Sequence, residues 1–241
     1  MATVRLTMSQ ALTRWMNAQS IEQIDGSIEP AFAGVWAIFG HGNVAGLGEA
    51  LYGVRDQLPT YRGHNEQSMA HIAIAYAKQK QRRRMMAVTT SIGPGATNLA
   101  TAAALAHVNR LPVLLLPGDV FATRAPDPVL QQIESFADGT VSANDCLRPI
   151  SRYFDRITRP EQLLQALPKA MSVLTDPADC GPVTLGLCQD VQAEAWDYPE
   201  SFFAPRVWHM RRILSDAAEL SRAIEILKSA KRPMIVAGGG V

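Results

Sequence analysis

RMMAVTTSIGPGATNLATAAALAHVNRLPVLLL, residues 84–116, decides the architecture. Residues 84–90 are apolar without polar alternation, as a strand covered on both faces must be. SIGPG can only turn. Residues 96–110 are rich in alanine and read as a helix, and PVLLL (112–116) is a second unalternating strand. A strand, a helix and a strand in that order make a parallel pair joined by a crossover.

The same alternation extends both ways. VWAIF (35–39) reads as a buried strand ending in the turn GHGN (40–43), with a helix over 44–58 and a short strand in PTYRG. A small-residue helix runs from Glu66 to Lys80, with Asn65 suited to cap it. Downstream, a helix is expected near 128–137, a strand over 150–157, a helix over 161–174 and a strand at 182–188. The fold class predicted is α/β: a doubly wound, mostly parallel sheet with helices on both faces. Residues 1–192 form this unit. Residues 193–212, with two prolines and no period, read as a linker packed on a surface. Residues 213–241 read as a helix and a strand start opening a second α/β unit that is not completed. The chain is therefore expected to be an N-terminal piece of something longer.

Composition narrows the partners. At 241 residues, 47% hydrophobic and 19% charged, the chain can bury a sizeable core. A net charge of +1 with interspersed signs gives no electrostatic reason for nucleic acid or a membrane surface. No apolar run approaches the roughly 18 residues of a membrane span. The N-terminus carries no secretory pattern, and three cysteines at spacings that fit no zinc site point to reduced thiols and a cytoplasmic location.

Three places carry candidate chemistry. Glu66 opens the helix that follows RGHN. A first-turn acid gains about 0.3–1 kcal/mol from the helix dipole and needs no further reason. Yet the helix behind it has little polar face, so it is expected to be packed on most sides. An acid kept from water there suits hydrogen bonding to a ring nitrogen. SIGPGATN offers glycines and a helix start to a ligand, though it lacks a complete phosphate-binding fingerprint and Pro94 lacks a donor. A tight turn laying an alanine-rich helix on the sheet explains it as well. GHGN lies at the carboxyl end of its strand, the edge where open α/β sheets bind ligands. His41 and His64 belong to that edge, whereas His71 and His107 read as packing residues within helices.

Read together, IFGHGN, RGHNEQSMAHIAIAYAKQ, TTSIGPGATNLATAAALAHVNRLPVLLLPGDV and GPVTLGLCQDV resemble the pyrimidine-binding domain of thiamine-diphosphate enzymes of the acetolactate-synthase group. The resemblance covers residues 4 to 192 and continues into the start of a central domain. FGHGNVAG, YRGHNEQ and PGDVFATRAPDPVLQQIE are most similar to a branch that opens a polyhydroxy cyclic 1,2-dione hydrolytically in myo-inositol breakdown. Relatives more often have Pro-Gly-Gly where this chain has His41-Gly42-Asn43, which implies a specialised substrate. Another thiamine-diphosphate carboligase, or a nucleotide-binding module, stays open as an alternative.

The resemblance implies thiamine diphosphate as cofactor, with Glu66 the catalytic carboxylate pairing with N1′ of its aminopyrimidine. It places Gly93 and Asn98 near the pyrimidine or a dimer contact. His41, Asn43 and His64 are candidates for substrate hydroxyls. Mg²⁺ and the diphosphate are held in the group by a Gly-Asp-Gly and Asn-Asn segment that this chain lacks. Gly118-Asp119 is followed by valine, and Asp138-Gly139 lacks the asparagines. The resemblance thus implies half a site here, completed in a homo-oligomer with the active site at a subunit interface, and no activity for this chain alone.

Overall fold

The computed structural model describes residues 2–238. The chain opens with β1 (Thr3–Thr7), α1 (Met8–Asn17), β2 (Gln19–Glu22) and β3 (Ile28–Pro30). Next come β4 (Phe32–Ile38), the single turn α2 (Gly40–Asn43), a π-helical stretch at Val44–Gly48 and α3 (Glu49–Gly53). β5 (Thr60–Arg62), α4 (Glu66–Gln79), β6 (Met85–Thr90), α5 (Pro94–Thr97), α6 (Ala100–Asn109) and β7 (Val113–Asp119) follow. After a long loop come β8 (Tyr153–Ile157), α7 (Leu163–Leu174), β9 (Pro182–Cys188), β10 (Ala195–Pro199), β11 (Arg206–Trp208) and α8 (Ala217–Ser229).

Six strands form one sheet in the order β5-β4-β6-β7-β9-β8, and every neighbouring pair is parallel. Every residue of β6, β7 and β9 is buried. Alternation along β7 explains why no polar face was possible. Leu114 and Leu116 enter one core with α1 and α7, while Val113 and Leu115 enter the other with α4 and α6. The doubly wound α/β prediction holds. From β4 the chain steps outward to β5, then back across β4 to β6, so the strand order reverses between β4 and β6. At such a reversal an open α/β sheet offers a crevice for ligands outside the carboxyl ends of its strands.

Several local expectations are corrected. GHGN forms the turn of helix α2 rather than an open turn, and the helix expected over 44–58 continues from it without a gap, π-helical over Val44–Gly48, but ends at Gly53. Glycines at 46, 48 and 53 weaken it, and Gly46 packs so closely that a Cβ would lie 2.5 Å from the Cβ of Gln192. The helix over 96–110 is divided into α5 and α6. No helix forms near 128–137. Pro126 and Pro128 interrupt that segment, and side chains satisfy its backbone instead: Glu134 accepts from the Ala143 amide (2.7 Å) and Gln132 from that of Val129 (3.0 Å). The strand expected over 150–157 starts only at Tyr153: Ile150 ends a 3-10 helix (Ala143–Ile150), and Ser151 and Arg152 are irregular.

Residues 193–212 are more than a surface linker. β10 pairs antiparallel with β1, and β11 pairs parallel with β2. Tyr198, Phe203 and Trp208 from this segment join the main core. The strand start expected from Pro233 is irregular and exposed as far as Gly238, because no strand lies beside it. Its last three residues fall outside the described ones. Among the described residues no helix is long and apolar enough to cross a membrane.

Candidate functional site

Glu66 is the first residue of α4. Asn65 caps the helix as expected, its Oδ1 accepting from the Ser68 amide at 3.0 Å. The approach from β5 is tight, since a Cβ on Gly63 would lie 2.3 Å from Met69 Cγ. The Glu66 side chain is half-buried rather than sealed off, and α4 turns Ile72 and Ala75 to solvent. The helix is thus packed on its sheet side only. Asn98, the C-cap that follows α5, donates from Nδ2 to Glu66 Oε2 at 2.8 Å. Oε1 accepts no hydrogen bond among the described residues. Gly95 leaves it open: a Cβ there would approach Oε1 to 3.3 Å and Ser91 Cβ to 3.5 Å.

The SIGPG turn brings its glycines against two other loops. Gly93 has φ +58°, a region that side-chain-bearing residues avoid, and a Cβ on it would come within 2.2 Å of the Gln131 carbonyl oxygen. The loop after β7 therefore lies directly on the turn. Ser91 Oγ donates to Gln131 Oε1 at 3.1 Å. On the other side Gly40, at φ +53°, approaches Ser91 so closely that a Cβ would stand 2.3 Å from its Oγ. The loops after β4, β6 and β7 and the start of α4 thus meet around Ser91, with one free carboxylate oxygen facing the gap left by Gly95.

The other expected site residues are placed differently from one another. His41, in α2, is partly exposed, but its Nε2 is buried without a hydrogen-bond partner. His64 is exposed, two residues before Glu66. Asn43 is fully buried. Its Nδ2 donates to Thr89 Oγ1 (2.7 Å) and to the Thr90 carbonyl (2.8 Å), and its Oδ1 accepts from Gln192 Nε2 (2.8 Å). Both amide hydrogens are used and no surface is left, so Asn43 is a structural residue rather than a contact for substrate hydroxyls.

Ser91, Gln131 and Gln192 were not legible as site-forming residues. Ser91 shares the SIGPG turn and could have been found there. The two glutamines had no signal, because their partners lie 40 and about 150 positions away.

A second polar cluster closes the edge at β7. The Asp119 side chain, inaccessible to solvent, accepts from Arg156 Nε (2.8 Å), from Ser142 Oγ (2.9 Å) and from the Val120 amide (2.8 Å). Burial, reinforced by the Asp119 charge, pushes the neighbouring Cys188 thiol well above its usual range. Asp138 accepts from the backbone and hydroxyl of Thr140. Among the described residues no three His, Cys, Asp or Glu side chains are placed to hold a metal ion. Two surface depressions of about 370 and 320 Å³ lie around Gln23, Ile24 and Arg83 and share no residue with the crevice.

Residues 32–138 match the family described as thiamine pyrophosphate enzyme, N-terminal TPP binding domain. The whole chain is 54% identical over 241 residues to a 3D-(3,5/4)-trihydroxycyclohexane-1,2-dione hydrolase of Geobacillus thermodenitrificans, of which it covers 38%. It is equally similar, at 54%, to proteins of that name from Bacillus cereus and Bacillus anthracis, covering 37% of each. The chain thus spans well under half the length of these relatives.

Proposed function

We propose that this chain, whose residues 32–138 match the N-terminal TPP binding domain of thiamine pyrophosphate enzymes, is the pyrimidine-binding part of a thiamine-diphosphate-dependent hydrolase. Its substrate would be trihydroxycyclohexane-1,2-dione, opened by carbon–carbon cleavage to 5-deoxy-glucuronate in myo-inositol catabolism. The observation carrying this reading is the Glu66 carboxylate, held through Oε2 by Asn98 and free at Oε1 beside a glycine.

That arrangement fits a planar heterocycle. Gly95 leaves the space beside Oε1 without a side chain, and Oε1 offers one acceptor there. The cofactor, when bound, supplies a nucleophilic carbon and an electron sink for breaking a carbon–carbon bond. The chain's own part is to hold the ring and its proton. Glu66 would hold the ring nitrogen N1′ through a hydrogen bond at Oε1, and Asn98, bonded to Oε2, would orient the carboxylate for it. The roles of His41 and His64 at substrate hydroxyls are supported by the His41 Nε2, buried with no hydrogen-bond partner among the described residues, and by the exposure of His64.

We assign Mg²⁺ and the diphosphate to a part of the protein outside this chain, because Asp119 and Asp138 are engaged elsewhere. Residues 1–192 form the pyrimidine-binding unit, 193–212 the connection, and 213–241 the start of the next domain. In support, α8 is amphipathic yet buries no side chain, with Leu220, Ile224 and Leu227 all exposed. A second subunit completing the site is supported by the apolar outer sides of α4 and α6, where Ile72, Leu105 and Val108 stand exposed. Three free cysteines suit the cytoplasm.

The test is to assay the full-length protein, loaded with thiamine diphosphate and Mg²⁺, on the cyclic dione and on pyruvate. Ring opening of the dione, abolished by Glu66→Ala, is the expected result. Turnover of pyruvate alone, or dione turnover indifferent to Glu66→Ala, overturns the reading.

A further inference from the structure

The buried network around Asn43 spans more of the sheet than a local turn requires. Thr89 Oγ1 receives a hydrogen bond from Asn43 and donates to the Leu116 carbonyl at 2.8 Å. Gln192, just after β9, donates from Nε2 to Asn43 Oδ1 (2.8 Å), to the Gly42 carbonyl (3.2 Å) and to the Leu187 carbonyl (3.2 Å). Its Oε1 accepts from the Leu47 amide at 3.2 Å. The carboxyl ends of β6, β7 and β9 are thus tied to the loop after β4 by two side chains, Asn43 and Gln192, both inaccessible to solvent.

His41 sits inside this tie. Gln192 grips the carbonyl of the next residue, Gly42. The two glycines flanking His41 are pressed on the neighbouring loop, a Cβ at 40 lying 2.3 Å from Ser91 Oγ and one at 42 lying 3.0 Å from Ile92 Cγ2. The backbone on both sides of His41 therefore runs against Ser91 and Ile92 more closely than a side chain at 40 or 42 would allow. Its ring keeps one nitrogen buried and without a hydrogen-bond partner among the described residues, an exception that a functional role can explain.

We infer that Asn43 and Gln192 are positioning residues that fix the His41 imidazole for a hydroxyl of the polyhydroxy substrate. They act on specificity for that substrate and leave cofactor binding alone. The substrate part of the inference rests on the proposed function; the mechanical part does not.

Full-length protein is compared with Gln192→Met, which keeps side-chain volume and removes every hydrogen bond of the amide, and with Asn43→Gly. Two readouts are taken on each variant that retains native tryptophan fluorescence. Carbethoxylation of His41 by diethyl pyrocarbonate, followed by peptide mass spectrometry with exposed His64 as internal reference, rises about fivefold when the tie is cut. KM for the cyclic dione rises about tenfold, thiamine-diphosphate affinity stays within about twofold, and adding His41→Ala produces no further loss. Unchanged His41 reactivity overturns the inference, as do losses that multiply in the double variants. If the unaltered protein does not turn over the dione, the functional reading fails, and the tie is then judged on His41 reactivity alone.

Discussion

Asn98→Ala is the most direct probe of the site. It removes one hydrogen bond, from Nδ2 to Glu66 Oε2 at 2.8 Å, and touches nothing else of Glu66. A hydrogen bond to a charged group contributes about 1.5–3 kcal/mol. The pair is half-buried, so water replaces part of the loss, and the lower figure applies. If the whole of it orients the carboxylate in the transition state, about 1.4 kcal/mol per factor of ten converts 1.5 kcal/mol to a roughly tenfold fall in kcat. The full 3 kcal/mol sets a ceiling of about 150-fold. Stability should fall by no more than about 1 kcal/mol, since neither partner becomes buried without water. Steady-state kinetics on full-length protein, thiamine-diphosphate affinity by tryptophan quenching, and urea unfolding separate these effects. A kcat within twofold of the unaltered protein, with unchanged cofactor affinity, refutes the idea that Asn98 sets the carboxylate. So does a fall in kcat accompanied by an equal loss of folding stability, since the damage would then be global.

Other perturbations follow from the same geometry. Gly93→Ala puts a side chain on a residue at φ +58° and ψ −117°, a sparsely populated region costing about 1–3 kcal/mol, before its Cβ meets the Gln131 carbonyl at 2.2 Å; thermal unfolding should drop by several degrees, and an unshifted Tm contradicts the close approach. Arg156→Met leaves the solvent-inaccessible Asp119 carboxylate without its cation. Ser142 and the Val120 amide remain, so the loss should sit at the low end of the range for a broken buried pair, about 3 kcal/mol by urea unfolding; less than 1 kcal/mol would show that the pair is dispensable. Burial pushes the Cys188 thiol up in the folded state, with Asp119 adding to it, whereas the unfolded thiol ionises near about 8.5. Above that pH the unfolded state sheds the proton and the folded state keeps it, so stability should decline as pH rises beyond about 8.5. Cys188→Ala should flatten that decline, and an identical slope in both proteins rules out the thiol as its source.

How much was legible depends on how far apart the interacting residues lie. The unalternating runs of β6, β7 and β9 report burial on both faces within a few residues, so the parallel sheet and its two helical layers could be read directly. The Asn65 cap is equally local: its partner is three positions away. By contrast, the absence of a helix at 128–137 turned on the prolines at 126 and 128 together with glutamine and glutamate side chains that bond amides three and nine positions away. Periodicity does not register that competition. The pairing of β10 with β1, 192 positions apart at Arg5 and Asp197, was invisible for the same reason.

By itself the sequence determined the α/β architecture, the carboxylate at the mouth of α4 and the glycine turn beside it, because each depends on short-range preference and on which residues must leave water. Only the tertiary structure decided which polar atoms are consumed and which stay free. It turned Asn43 from a ligand contact into a structural tie, gave Glu66 its partner Asn98, and left Oε1 and the His41 Nε2 without one. Those outcomes rest on hydrogen bonds between segments 32 to about 150 residues apart, whose geometry is fixed by the packing of the sheet and carries no signature in the order of residues.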